Sequence, residues 1–135
     1  MEKIKSKSTA LILIDVQKGF DSNYWGVRNN LNAEKNMQRL LLHWREKKMP
    51  IIHVKHVSTE PESPLRPNQQ GNDFKPEVEP LQGEHIEEKN VNSAFIGTGL
   101  EKYLRQNNIG NVVLVGLTTD HCVSTTTRMA ANLDF

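Results

Sequence analysis

The stretch "TALILID", Thr9–Asp15, is a continuous apolar run that ends in a carboxylate. Such a run reads as a strand buried on both faces, which is typical of a parallel sheet. Two more runs share its character: "IIHVKHV" (Ile51–Val57), which follows Pro50, and "NVVLVGL" (Asn111–Leu117). A shorter one, "EHIEEKN" (Glu84–Asn90), reads as a strand ending near Lys89. Between them lie helical patterns. Met37, Leu40, Leu41 and Trp44 repeat at i, i+3, i+4, i+7 and predict a helix over Ala33–Lys48, with Asn32 as its N-cap. Thr98 and Glu101 have capping-box spacing ahead of Leu100, Tyr103 and Leu104, and Gly110 stands where that helix is expected to stop. "CVSTTTRMAANLDF" predicts a helix to the last residue.

The order β-α-β-loop-β-α-β-α implies an α/β fold. It is a parallel sheet with helices on both faces, Rossmann-like in three α/β/α layers, with right-handed crossovers. In such sheets ligands bind at the carboxyl ends of the strands. Three polar residues sit at or just beyond three strand ends: Asp15, Lys89 and Cys122. The segment Ser58–Gly83 is rich in proline, glutamate, asparagine and glutamine. A loop of that length inside one domain is expected to serve as a lid over a site or as an arm for a partner chain.

Composition narrows the classes. With 135 residues the chain suits one domain, and 36% hydrophobic with 24% charged residues reads as globular rather than disordered. A net charge of +1 gives no reason to expect nucleic acid or membrane as a partner. A single cysteine excludes an internal disulfide framework and points to the cytoplasm. The apolar run Ala10–Ile14 is too short for a signal-peptide core or a membrane span.

The lone thiol lies in "GLTTDHCVSTTTRMAA" (Gly116–Ala131), at a strand-to-helix turn. A helix N-terminus and a nearby ammonium, here Lys89, both favour a thiolate. Asp15 could take the thiol proton, and the amides around Thr118–Cys122 could receive an oxyanion. Each residue type also has an ordinary use. A cysteine after a strand can be packing, an aspartate at a strand end a turn residue, and a lysine after two glutamates a solvated charge. Spacing alone does not choose between these uses. A redox role is disfavoured because the chain has no second cysteine to resolve a sulfenic acid.

Three stretches together resemble the isochorismatase-like cysteine hydrolases, which include nicotinamidases and carbamoylsarcosine and biuret amidases. They are "ALILIDVQKGF", "EKNVNSAF" and "VVLVGLTTDHCVSTTTRMAA", in the family's order and across nearly the whole chain. The resemblance implies a catalytic triad of Asp15, Lys89 and Cys122, and a cis peptide at Leu117–Thr118 beside the oxyanion amides. It places the aromatic walls of a substrate pocket at Phe20, Tyr24 and Trp25, residues that could equally be core packing. Nicotinamidases of the family hold a metal through an Asp-x-His element after the second strand. Here that stretch is "HVKHVS", with His53 and His56 but no aspartate, and imidazoles three apart on a strand point to opposite faces. His85 and His121 are scattered. No metal and no cofactor is therefore expected. Cys122 argues against the branch that cleaves a vinyl ether.

The expected domain is 1–135, an isochorismatase-like hydrolase domain incomplete at its C-terminus, because family members carry further parallel strands beyond the nucleophile helix. The expected activity is cleavage of a small amide or related C–N bond through a thioester acyl-enzyme, on a small-molecule substrate. A homo-oligomer, dimer or tetramer, is expected from the family's habit and from the open edge at "NVVLVGL". The alternative is a truncated, inactive member that acts only as an oligomerisation or binding domain.

Overall fold

The computed structural model describes residues 7–135, apart from the side chain of Asp120. Four strands form one parallel sheet: β1 (Ser8–Ile14), β2 (Ile51–His56), β3 (His85–Lys89) and β4 (Ile109–Gly116), in the order β3-β2-β1-β4. Three α-helices accompany them: α1 (Ala33–Glu46), α2 (Leu100–Gln106) and α3 (Ser124–Asn132). β1 is central and its side chains alternate between two cores. Leu11 and Leu13 face Met37, Leu41 and Trp44 of α1. Ala10, Ile12 and Ile14 face Leu100 and Leu104 of α2, together with Cys122. Both faces of β1 are thus apolar because both are covered, as its unbroken run requires.

The elements follow the predicted order, with differences at their ends. Asn32 precedes α1, but its side chain makes no cap bond. The Thr98–Glu101 capping box does not form. Gly99 is the N-cap, Thr98 Oγ1 accepts from Leu100 N at 3.3 Å, and Glu101 pairs instead with Arg105 at 3.0 Å. Gly110 is not the stop of α2; it lies inside β4. The chain turns earlier, at Asn108, whose φ of 55° is one that asparagine tolerates better than most residues. The last helix does not reach the terminus. It ends at Asn132, and its first part is a π-helical turn, Thr119–Val123.

The long segment after β2 folds back onto the molecule. Ser58, Ser63, Leu65, Asn72, Lys75 and Val78 are buried, and two short 3-10 turns, Gln70–Asn72 and Pro76–Val78, carry it around. Its end is clamped by Glu84. That carboxylate takes two bonds from Arg45 of α1 at 2.7 and 2.8 Å, the Leu81 amide at 2.9 Å and the buried His53 at 2.8 Å. No helix among the described residues is long and apolar enough to cross a membrane.

Candidate active site

The carboxyl ends of β1 and β3 and the turn after β4 meet at one point. Asp15 directly follows β1. Its φ of 57° swings the chain out of the strand, and its N–H donates to Val54 O at 2.9 Å. Lys89 is the last residue of β3, in register with His56 at the end of β2. Cys122 lies in the π-helical turn after β4. The Lys89 ammonium lies 3.0 Å from Asp15 Oδ2, 3.3 Å from Cys122 Sγ, 2.9 Å from His56 Nδ1 and 2.9 Å from Val91 O. Asp15 is 0% and Lys89 3% exposed. The three residues singled out from sequence are therefore in mutual contact, and His56 joins them.

Burial pushes the Asp15 carboxyl above its ordinary range, although the Lys89 charge and hydrogen bonds from Cys122 and Lys89 pull it back. A carboxylate so raised is a better proton acceptor. Its Oδ1 has no hydrogen-bond partner among the described residues; the Cys122 thiol donates to Asn92 Oδ1 at 3.7 Å, with a carboxylate oxygen of Asp15 within 4.8 Å of the sulfur. The expectation of a thiolate at rest is corrected. Burial, and then the Asp15 charge, push the Cys122 thiol up to about 12, and Lys89 only partly opposes them. The helix end is outweighed, because desolvation acts on the sulfur itself and is the largest influence on it.

The turn that carries Cys122 is held by Thr118 O, which accepts from His121 N at 3.2 Å and from Val123 N at 3.3 Å. The Leu117–Thr118 peptide before it is cis. Gly116 is needed at the strand end. Its φ is 149°, and a Cβ there would lie 2.1 Å from Ile14 O. A cavity of about 290 Å³ opens onto Asp15, His56, Thr118 and Cys122. Its walls include Phe20, Trp25 and Leu65, with Asn92 and His121 as further polar groups. Tyr24 is not among them. It is 58% exposed and packs edge-on against Trp25 from outside, at 4.8 Å between ring centroids.

Residues 9–135 match the Isochorismatase domain. The chain belongs to the isochorismatase family of hydrolases. It is 52% identical over 126 residues to the isochorismatase family protein YrdC of Bacillus subtilis (strain 168), covering 93% of this chain and 67% of that one. A crystal structure of an isochorismatase-family protein from Chromobacterium violaceum ATCC 12472 superposes with a TM-score of 0.91 at 47% identity, covering 99% of this chain and 69% of that one. An isochorismatase from Pseudomonas putida KT2440 gives 0.88 at 31% identity, with 99% and 70% covered.

A metal does not fit this isochorismatase-family site. Ligand atoms of Asp15, His56 and Cys122 lie within 4.8 Å of one another, but the Lys89 ammonium stands among them, within bonding distance of all three residues. The position a cation would take is held by a lysine. His53 faces the other way, bonded to Glu84, so the two histidines of β2 do separate as strand geometry demands. Sequence reasoning set His56 aside with His53 as a poor ligand pair. The signal that would have found it is its register opposite Lys89.

Proposed function

We propose that the chain is a cysteine hydrolase that cleaves a small amide or related C–N bond through a thioester acyl-enzyme. The observation that carries this reading is the single buried cluster of carboxylate, ammonium and thiol, with Lys89 Nζ 3.0 Å from Asp15 and 3.3 Å from Cys122. Asp15 accepts the thiol proton as Cys122 Sγ attacks the carbonyl carbon. Lys89 stabilises the charge as it passes from carboxylate to sulfur. The Thr118 and Cys122 amides receive the oxyanion of the tetrahedral intermediate. Asp15 then returns the proton to the leaving nitrogen, the C–N bond breaks and a thioester remains. Water, deprotonated by Asp15, attacks the thioester and releases the acid and the thiol. The cavity of about 290 Å³, walled by Phe20, Trp25 and Leu65, suits a small substrate.

The test is a panel of small amides and ureas, scored by release of ammonia or amine, with quenched samples weighed as intact protein. Wild type is expected to turn over at least one member and to show an acyl mass gain, and Cys122→Ser to do neither. Undiminished turnover by Cys122→Ser would overturn the nucleophile. Neither turnover nor adduct across the panel would favour the binding-domain alternative.

A further inference from the structure

We propose that His56 is a positioning residue: its Nδ1 and the Val91 carbonyl hold the Lys89 ammonium in place, so that the third N–H of that ammonium is shared between Asp15 and Cys122. This rests on the reading of Cys122 as nucleophile and Asp15 as base. The count of donors forces the sharing. An ammonium has three N–H groups, and Lys89 has four acceptors in reach: Asp15 Oδ2 at 3.0 Å, His56 Nδ1 at 2.9 Å, Val91 O at 2.9 Å and Cys122 Sγ at 3.3 Å. When the thiol proton passes to Asp15, the negative charge passes from carboxylate to sulfur. Charge-assisted bonds are the strong ones, so the shared N–H follows the charge from Asp15 to Cys122. His56 and Val91 keep the same charge throughout, so they can anchor the ammonium before and after the transfer. Lys89 stays protonated and no proton is gained or lost.

The lysine N–H is the donor, so Nδ1 must carry a lone pair and the imidazole must be neutral, with its hydrogen on Nε2. The surroundings favour that state. Burial, then the Lys89 charge, push His56 down to about 4. The titratable groups that face it are Lys89 from β3, Asp15 from the end of β1, and Cys122 and His121 from the turn after β4. The backbone of His56 is also held from behind. The side chain of Gln17, 0% exposed, accepts from His56 N at 2.9 Å and donates to His56 O at 2.9 Å, and Asn72 Nδ2 donates to the same carbonyl at 3.1 Å. Val57 N donates to Lys89 O at 2.7 Å, tying the two strand ends together.

Two measurements on the full chain test this, and neither needs a substrate. In nitrogen-15 NMR of wild type between pH 6 and 8, His56 is expected to be neutral, with Nε2 protonated and Nδ1 unprotonated. In iodoacetamide labelling of Cys122, the chain's one cysteine, His56→Leu is expected to react about tenfold more slowly than wild type, the equivalent of one pKa unit. His56→Asn, whose Oδ1 can accept from Lys89, is expected to recover most of the rate. A hydrogen on Nδ1, a charged ring at pH 7, or His56→Leu labelling at the wild-type rate would overturn the proposal. The NMR result stands even where His56→Leu does not fold. Failure of the amide panel alone would sink the hydrolase reading and with it the catalytic purpose of the shared N–H, while the NMR and labelling results would still decide whether His56 holds Lys89.

Discussion

Replacing Asp15 with asparagine should make Cys122 more reactive while abolishing hydrolysis. The thiol is pushed up to about 12 by burial first and by the Asp15 charge second, with Lys89 working in the opposite direction. Asparagine removes the charge and leaves burial and Lys89. The sulfur and a carboxylate oxygen lie within 4.8 Å. Two unit charges at that distance, in an effective dielectric of about 20, repel by roughly 3.5 kcal/mol, or about 2.5 pKa units. Allowing for the lost carboxylate partner of Lys89, a gain of about a hundredfold in thiolate at pH 8 is the working expectation. Asparagine matches the shape of Asp15 and accepts its φ of 57°, so the turn out of β1 should survive. The assay is iodoacetamide labelling followed by intact mass, from pH 6 to 9, with Lys89→Met as a control expected to slow labelling. Turnover of any amide that wild type cleaves should be lost, since no group remains to take and return the proton. A slower labelling rate in Asp15→Asn than in wild type would refute the argument, because it would show Asp15 activating the thiol at rest rather than keeping it protonated.

Two stability predictions follow from buried polar groups away from the sulfur. Burial alone would raise Glu84, but bonds from Arg45, the Leu81 amide and His53 hold it down to about 2, below its ordinary 4.5. Its contribution is therefore fully present above pH 4.5 and is lost as pH falls toward 2. Arg45 is partly solvated, so Glu84→Gln should cost only about 1–2 kcal/mol in urea unfolding at pH 7, with the gap narrowing below pH 4.5 and closing only toward pH 2; equal stability at pH 7 would count against it. Gln17→Met leaves the His56 N–H without its partner and removes donors to His56 O and Asn72 O. It should cost about 2–3 kcal/mol in the same assay and slow Cys122 labelling, and an unchanged midpoint would show that the clamp is dispensable.

The sheet was legible from its apolar runs, although only β1 and the first four residues of β2 are buried on both faces, while the edge strands β3 and β4 are partly exposed. The apolar runs at Leu11–Ile14, Ile51–Val54 and Val112–Val115 could hardly be anything else at that length. The helix ends were not, because caps depend on a few competing bonds. Glu101 finds Arg105 one turn along, and Asn108 bends the chain before Gly110 is reached. The residues of the cluster came from motif resemblance, but the state of the thiol did not. A turn read from sequence shows where a helix dipole points and says nothing of how much solvent the fold removes from the sulfur. Tyr24 and Trp25 illustrate the same limit. They are adjacent in the chain, yet only Trp25 reaches the cavity wall, a choice made by the 3-10 turn Asn23–Trp25 and the bond from Trp25 Nε1 to Gly19 O at 2.8 Å.

Stability alone does not account for the way the strand ends meet. A buried ion pair adds little net stability over apolar residues of similar size, because the cost of removing two charges from water cancels most of their attraction. Asp15 and Lys89 are such a pair, and the carboxylate keeps one oxygen without a nitrogen or oxygen donor while its backbone sits at a positive φ. Lys89 is further given more acceptors than it has N–H groups, one of them a sulfur. An arrangement tuned for stability would match donors to acceptors. What a surplus acceptor and an unfilled carboxylate oxygen allow is a proton that can move from sulfur to oxygen while the ammonium stays where it is. The adjacency of β1, β2 and β3 then has a chemical meaning: it brings the carboxylate, the imidazole and the ammonium to three neighbouring strand ends, facing a thiol delivered by the turn after the fourth.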